Sequence, residues 1–495
     1  MAREDRNRDV EKQDDGGLNN ALHDSICSSN NTSHDADVNT IEQAPLEQAP
    51  TQRSRKSSTR ERRPSAPGLS EYLSRSASNV LAQVASRFTT RSWAQPPPPP
   101  DGGLAAWTQV AMGWLVIFTT WGYVNSFGAF QTYYTQTMPQ PPSTISWIGS
   151  VQTWLTLIIG AFSGRLLDAG LFVPTFFVGA VIQVVGMVCM SFSRQYWALM
   201  LTQGVLTGIG GGIFFTPSLA LVTTYFSKRR GLAVGLVTTG NSAGGMIYPV
   251  VVRQLIPQLG FAWTARVLAF INLGCLAVVL AFMRPRLPPR KSGPVIDMTA
   301  FKEPVYLSFV GGLFFVMWAN YYTFYYIASF GREILGFSYS SASILIILIN
   351  GAGLPFRVIP PLISDKVGPL NVMVPVTITW SIVVFCWLAV GDVSGLYVFT
   401  CFYGILAGSF QCLLATVIAS ITKRLDMVGT RLGMTFSICS FASLTGPPIG
   451  GALQGAADGK FTGAQIWAAF VTALGCALIC VARFSLAGWN PRTKC

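Results

Sequence analysis

Charged and titratable side chains are what this sequence has least of. Only 12% of its 495 residues are Asp, Glu, Lys or Arg, about half the share of an ordinary globular chain. Two are histidine, His23 and His34. Beyond residue 34 there is thus no imidazole to ligate haem, zinc or a di-iron pair, or to act as a base at neutral pH. Ten cysteines include no CxxC pair, and those from Cys189 to Cys480 fall mostly in apolar stretches, where a reduced thiol behaves as a small hydrophobe. Gly210, Gly211 and Gly212 follow no strand and precede no Lys-Ser or Lys-Thr, so they make no phosphate loop, which also excludes ATP-driven transport. No enzymatic activity, metal centre or cofactor is expected.

What is present is apolar. Half the residues are hydrophobic and 12% are aromatic. A membrane crossing needs ~20 apolar residues to span ~30 Å of hydrocarbon, and such runs recur at roughly 107–130, 144–167, 171–193, 196–225, 230–252, 262–283, 305–330, 339–363, 370–391, 395–421, 430–453 and 463–487. The expected fold is an all-α, multi-pass membrane protein of twelve transmembrane helices.

Cations set its orientation, because lysine and arginine are retained in short cytoplasmic loops. With both termini cytoplasmic, the inner loops collect Arg165, Lys228, Arg229, Arg230, Arg284, Arg286, Arg290, Lys291, Lys302, Lys366, Lys423, Arg424 and Arg431, against Arg194, Arg253, Arg332 and Lys460 outside. Residues 1–100 hold thirteen basic and thirteen acidic side chains, so the net charge of +13 sits in the membrane portion and calls for no nucleic acid.

Residues 1–100 read as a disordered cytoplasmic tail, acidic first and basic later. It is a solvated segment, a contact for anionic lipid, or a kinase target near Ser57, Ser58, Ser65, Ser74 and Ser76. No early apolar run follows Met1, so no cleavable signal peptide is expected, and the sequons at Asn30 and Asn31 are discounted in a cytoplasmic tail. Polyproline 96–100 spaces the tail from a six-helix bundle over 101–283. A basic, proline-rich linker at 284–304 leads to a second bundle over 305–487 and a tail at 488–495.

The halves repeat. "GVLTG" at Gly204 meets "GILAG" at Gly404, "GRLLDAG" meets "PLISDKVG", and "GGMIYP" meets "LTGPPIGG". Offsets are 200 for Gly204 and Gly404, 197 for Asp168 and Asp365, and 198 for Pro249 and Pro447. Two parallel six-helix repeats place a binding site near the midplane between lobes that rock against each other. Glycines at 204, 208 and 212 and at 231, 235, 240 and 244 permit close helix approach, and Pro217, Pro249, Pro355, Pro447 and Pro448 break helices.

These motifs carry a resemblance. "GRLLDAG" is similar to the signature between helices two and three of the major facilitator superfamily. "DGGLAAW" and "YFSKRRGLAVGLVTTG" resemble the two signatures of its monocarboxylate porter family, fungal branch; in the second, Tyr225, Phe226, Lys228, Arg229, Arg230, Leu232, Ala233, Gly235 and Gly240 fall in pattern. The resemblance implies a major facilitator fold and alternating access. Animal members carry a lysine deep in the first helix and an aspartate one turn before an arginine in the eighth. Here Arg357 stands at the arginine, Gly353 at the aspartate and Asn125 at the lysine, so the proton-handling carboxylate is missing. The fungal branch is similar to riboflavin carriers and secondary-metabolite exporters as well as carboxylate porters.

Arg357 either faces a cavity as a clamp for an anionic solute or snorkels to the cytoplasmic interface. Asn125, Asn241, Asn320, Tyr321, Tyr325, Asn350 and Gln411 complete the candidate substrate site, with interhelical glue as the competing role for each amide. Gln131 is a further pore candidate. "WANYYTFYY", Trp318 to Tyr326, suits stacking on a planar solute or an interfacial belt, the belt being favoured for Tyr326. Arg165, Asp168, Lys228, Arg229, Arg230 and Asp365 are assigned to gating loops. The expectation is a secondary or facilitative carrier of the monocarboxylate porter type for a small organic, anionic or amphipathic solute, with proton linkage left open. Secondary-metabolite export or riboflavin-type carriage is the alternative, and a transporter-like nutrient sensor the second. The expected partners are that solute, with or without a proton, and the lipid bilayer; the plasma membrane is the expected site, a vacuolar or endosomal membrane the alternative.

Overall fold

A computed structural model describes residues 98–288, 294, 296–424 and 427–488. The expected tail up to residue 97, and Arg290 and Lys291, lie outside the described residues. Among the described residues nine helices are long and apolar enough to span a membrane: α1 (Gly103–Thr137), α2 (Pro142–Asp168), α3 (Phe172–Met190), α4 (Tyr196–Thr224), the 53-residue stretch Arg230–Phe282, α7 (Pro304–Glu333), α9 (Pro369–Ala389), α10 (Val393–Ile421) and α12 (Thr462–Ala487). A helix of 53 residues would be about 80 Å long, far beyond one crossing. Gly260, at φ 76°, is non-helical and divides it into α5 (230–259) and α6 (261–282). Tyr339–Gly353 and Pro355–Val367, bent by 45°, form α8 as one broken span. The 29 residues Val428–Ala456 are α11, rich in Gly, Ser and Thr and so less apolar than the rest. Twelve rods result among the described residues, as expected, with two corrections: no separate loop joins α5 to α6, and α8 is not continuous.

Local chemistry sets the ends. Pro142, Pro304 and Pro369 open α2, α7 and α9, where a missing N–H costs nothing. The Asp392 carboxylate caps α10 through Gly395 N–H at 3.1 Å, and Ser338 caps α8 through Ser341 N–H at 3.1 Å. Helices α3, α6, α9 and α12 carry exposed large apolar side chains, including Phe177, Phe270, Ile382 and Phe470. They are peripheral, whereas α2, α5, α8 and α11 pack across the seam between halves.

Both halves reuse the same contacts. The Trp114 indole donates to Thr239 Oγ1 at 3.1 Å, and Gly240 packs on the Trp114 carbonyl oxygen; in the second half Trp318 donates to Thr445 Oγ1 at 2.9 Å, and Gly446 packs on the Trp318 carbonyl. A Cβ on Gly208 would stand 2.8 Å from the Gln152 carbonyl, and one on Gly408 2.7 Å from that of Gly353. The second pair agrees with the offset of 200 read from the sequence. The first corrects the alignment of α5 with α11: Thr239 answers to Thr445 and Gly240 to Gly446, so Pro249 and Pro447 are not equivalent.

Each half also ties its fifth helix to the segment before its first. Asp101 Oδ1 accepts from the backbone N–H of Ser227 at 2.5 Å and of Lys228 at 2.8 Å, its own N–H donates to Tyr225 O at 3.1 Å, and Trp107 lies 5.3 Å from Phe226. These N–H donors hold the Asp101 carboxyl below its ordinary range. Arg431, at the start of α11, donates to Asp297 at 2.9 Å and to both Glu303 oxygens at 3.0 and 2.8 Å. Bonds from Thr299 and then Arg431 lower Asp297, and Arg431 lowers Glu303. The two sequence signatures thus prove to be a single clasp.

The seam closes along two lines. Between α2 and α11, Ser143 meets Gly451 near one end and Ala161 meets Gly433 near the other. Between α5 and α8, Arg253 Nε donates to Ser340 Oγ at 2.5 Å, Gly245 takes the Asn350 amide, Gly235 lies on the Arg357 carbonyl and Gly231 on the Asp365 carboxylate. Where α1 meets α7, Phe127 and Tyr325 rings sit 4.8 Å apart, and Gln136, with its amide turned over, accepts from Arg332. Tyr326, expected in an interfacial belt, is buried and donates to the Pro142 carbonyl at 3.1 Å. It reaches across the seam.

Candidate functional site

Four of the eight sequence-assigned site residues form one connected group at mid-depth. Asn125 Nδ2 donates to Asn241 Oδ1 at 2.8 Å, and Asn241 Nδ2 approaches Gln411 Oε1 at 3.0 Å. Arg357 donates through Nε to Ser242 Oγ at 2.7 Å and through Nη2 to Gln411 Oε1 at 3.0 Å. With its amide turned over, Asn241 donates to the Trp121 carbonyl at 3.1 Å and accepts from Nη2 and Nη1 of Arg357 at 3.0 and 3.3 Å. Turning the amide gives the guanidinium an oxygen in place of an N–H, at the loss of the Gln411 bond, and Asn125 Nδ2 then lies 3.3 Å from the Asn241 oxygen. Either way α1, α5, α8 and α10 converge, two from each half.

The break in α8 puts Arg357 there. Pro355 removes a backbone donor, the chain tightens over Pro355–Arg357, and the helix bends. Only 3% of Arg357 is exposed. Its side chain is enclosed among helices rather than extended along the surface. Its hydrogen-bond partners among the described residues are neutral, with no carboxylate in reach. A buried guanidinium without a counter-charge is costly, and an anion arriving at the seam would supply one.

The other assigned residues surround this group or support it. Tyr325 OH lies 3.1 Å from Thr153 Oγ1 across the seam, with Tyr321 beside it at 6.1 Å between rings. Asn320 accepts from Tyr403 OH at 3.1 Å, leaving its Nδ2 buried and unpartnered. Asn350 is tied to the Gly245 and Ile346 carbonyls at 3.3 and 3.0 Å, the glue role. Gln131 is fully buried with neither amide atom bonded. Of the gating residues, Arg165 and Asp168, both partnered, close α2; Lys228, Arg229 and Arg230 are exposed; and Asp365 lies against the first turn of α5. Ser242 was missed by sequence reasoning. Its position beside Asn241 in the glycine-rich α5 was the available signal.

Comparison with known proteins agrees with this architecture. Residues 110–377 match the Major Facilitator Superfamily. An MFS-type transporter of Gibberella zeae (strain PH-1) is 40% identical over 390 residues, covering 78% of this chain and 88% of its own length. MFS-type transporter dbaD of Emericella nidulans is 35% identical over 385 residues, covering 77% and 87%. The Aspyridones efflux protein apdF of the same organism is 34% identical over 381 residues, covering 76% and 77%. Among solved structures, the human organic anion transporter MFSD10 (TETRAN) superposes with a TM-score of 0.60 at 14% identity over 78% of this chain and 100% of that one, a likeness of fold alone. With twelve rods in two repeats, a polar group at their seam and a family match over more than half its length, the chain belongs to the Major Facilitator Superfamily and is an MFS-type membrane transporter rather than an enzyme.

Proposed function

We propose that the chain exports an amphipathic organic anion by alternating access, as the fungal branch of the monocarboxylate porters would. The observation that carries this reading is Arg357, buried at the seam with neutral partners on both halves. A carboxylate or enolate would complete its hydrogen bonds in a fork-to-fork pair. Asn125, Asn241 and Gln411 would read the polar atoms beside the charge, and Tyr321 and Tyr325 would flank the apolar body. Efflux as the direction is supported by the name of the relative apdF, an aspyridones efflux protein. The lysines and arginines around Lys228 and Lys423 support a cytoplasmic position for the face that carries the termini, and the plasma membrane is the proposed location. Among the described residues no carboxylate joins the Arg357 group, so solute exchange or facilitated diffusion fits the site better than proton coupling through the protein.

The test compares organic acids inside and outside cells with and without the gene, followed by flux of the accumulated acid from liposomes holding the purified protein. Loss of the gene should raise an organic acid inside the cell and deplete it outside. Arg357→Lys, which keeps the charge but not the fork, should lower flux about tenfold or more with normal insertion. Unchanged flux would remove Arg357 from the site.

A further inference from the structure

Helix α1 is not regular where it approaches the Arg357 group. Over Phe118–Gly122 it widens into a π-turn, which accommodates one extra residue. Such a turn leaves carbonyls poorly satisfied inside an apolar bundle, where each must find a donor. The hydroxyls of Thr119 and Thr120 bond the Val116 carbonyl at 3.0 and 2.7 Å. The Thr119 carbonyl is met from outside the helix: Gln183 Nε2, on α3, donates to it at 2.8 Å. Gln183 is itself steadied by Asn272 on α6, whose Oδ1 lies 3.2 Å from the same nitrogen, and Asn272 Nδ2 donates to Tyr248 OH at 3.0 Å. The Tyr248 ring sits 5.1 Å from Phe118 and 5.6 Å from Tyr123, the residues at either edge of the bulge.

Gln183 and Asn272 are buried polar residues on the inward faces of two peripheral helices. Neither touches the Arg357 group. Their bonds converge on the bulge, three residues before Asn125.

One residue of an α-helix turns the chain by about 100°. A bulge that absorbs one residue therefore decides which side chain beyond it faces the seam: with the bulge Asn125 does, and without it Val124 would take that place. We infer that Gln183, braced by Asn272, is a positioning residue for substrate recognition, holding the π-turn of α1 so that Asn125 faces Asn241. The inference rests on the proposed role of the Arg357 group as the substrate site, but the register itself is measurable without any substrate.

The experiment uses the full-length chain with its ten cysteines replaced, reconstituted in liposomes, with a single cysteine at 124 or 125 and N-ethylmaleimide as the probe. Position 125 should be modified and position 124 protected. Gln183→Leu should lower modification at 125 about tenfold and raise it at 124. Deleting Thr120 in the same background takes out the extra residue and should return modification to 125, a rescue that a purely structural glutamine would not permit. Asn272→Leu, a milder perturbation of the same brace, should shift the pattern in the same direction if Gln183→Leu does not insert. An unchanged pattern, or loss at both positions without rescue, overturns the inference. If the shift occurs but Asn125→Ala leaves flux intact, the register stands and the reading of the site falls.

Discussion

The two halves share a scaffold and differ at the seam. Their Trp–Thr–Gly contacts, their α2–α4 and α8–α10 glycine packing and their carboxylate clasps at the head of the fifth helix correspond pair by pair. The seam residues do not. Arg357 answers to Thr156, whose hydroxyl bonds the Gln152 carbonyl at 2.8 Å, Gln411 answers to Gly211, and Asn241 to Pro447. The halves also bend differently. In the first, α1 and α4 contain π-turns at Phe118–Gly122 and Met200–Leu206; in the second, α7 and α10 run without one among the described residues, and α8 breaks instead. Duplicated packing thus preserves the rods, while local irregularities choose which side chains face the seam. Within the Arg357 group the charge comes from one half and neutral amides from both.

Perturbing the shared scaffold should have the largest effect. Gly244→Leu places a Cβ 2.6 Å from the Gly122 Cα, a backbone atom that cannot step aside; little folded protein should survive detergent extraction, measured by size-exclusion chromatography. Recovery of normal yield would mean that α1 and α5 are not packed this closely. Arg431→Met removes the partner of two carboxylates and should destabilise by about 3 kcal/mol, read as a lower Tm. The same clasp sets an acid limit. Because the Asp297 and Glu303 carboxyls are depressed in the folded state, their contribution is complete above about pH 4 and is lost as pH falls through their lowered values. Thermal stability should stay level from pH 7 to 5 and drop below 4, and Arg431→Met should flatten that drop. Smallest are the twin changes Trp114→Phe and Trp318→Phe, each removing one indole bond worth about 1 kcal/mol. Equal losses would support equivalent repeats; unequal ones would show that the halves carry load differently.

Much of the scaffold was legible because hydropathy follows directly from the bilayer. Even α11, too rich in Ser, Gly and Thr to stand out by apolarity, was bracketed by polar loops. Arg357 and Gln411 were legible as polar residues inside spans, and the family resemblance singled out Arg357. The π-turn of α1 was not, since "VIFTTWGYVN" reads as an ordinary helix and the bulge depends on Gln183, 64 residues away. The clasp between Asp101 and the start of α5 was equally hidden, because nothing in either signature states that the two touch. The equivalence of α5 and α11 was misread for a related reason: prolines aligned by eye, whereas packing aligns Thr239 with Thr445.

Helix α5 serves two masters along its length. Gly240 and Gly244 weld its middle to α1 of its own half, while Gly231, Gly235 and Gly245 leave smooth ground for α8 of the other. Were the halves to rock, α5 could not move away alone; α1 would travel with it as a single lever, and α8 would slide over that strip of bare backbone.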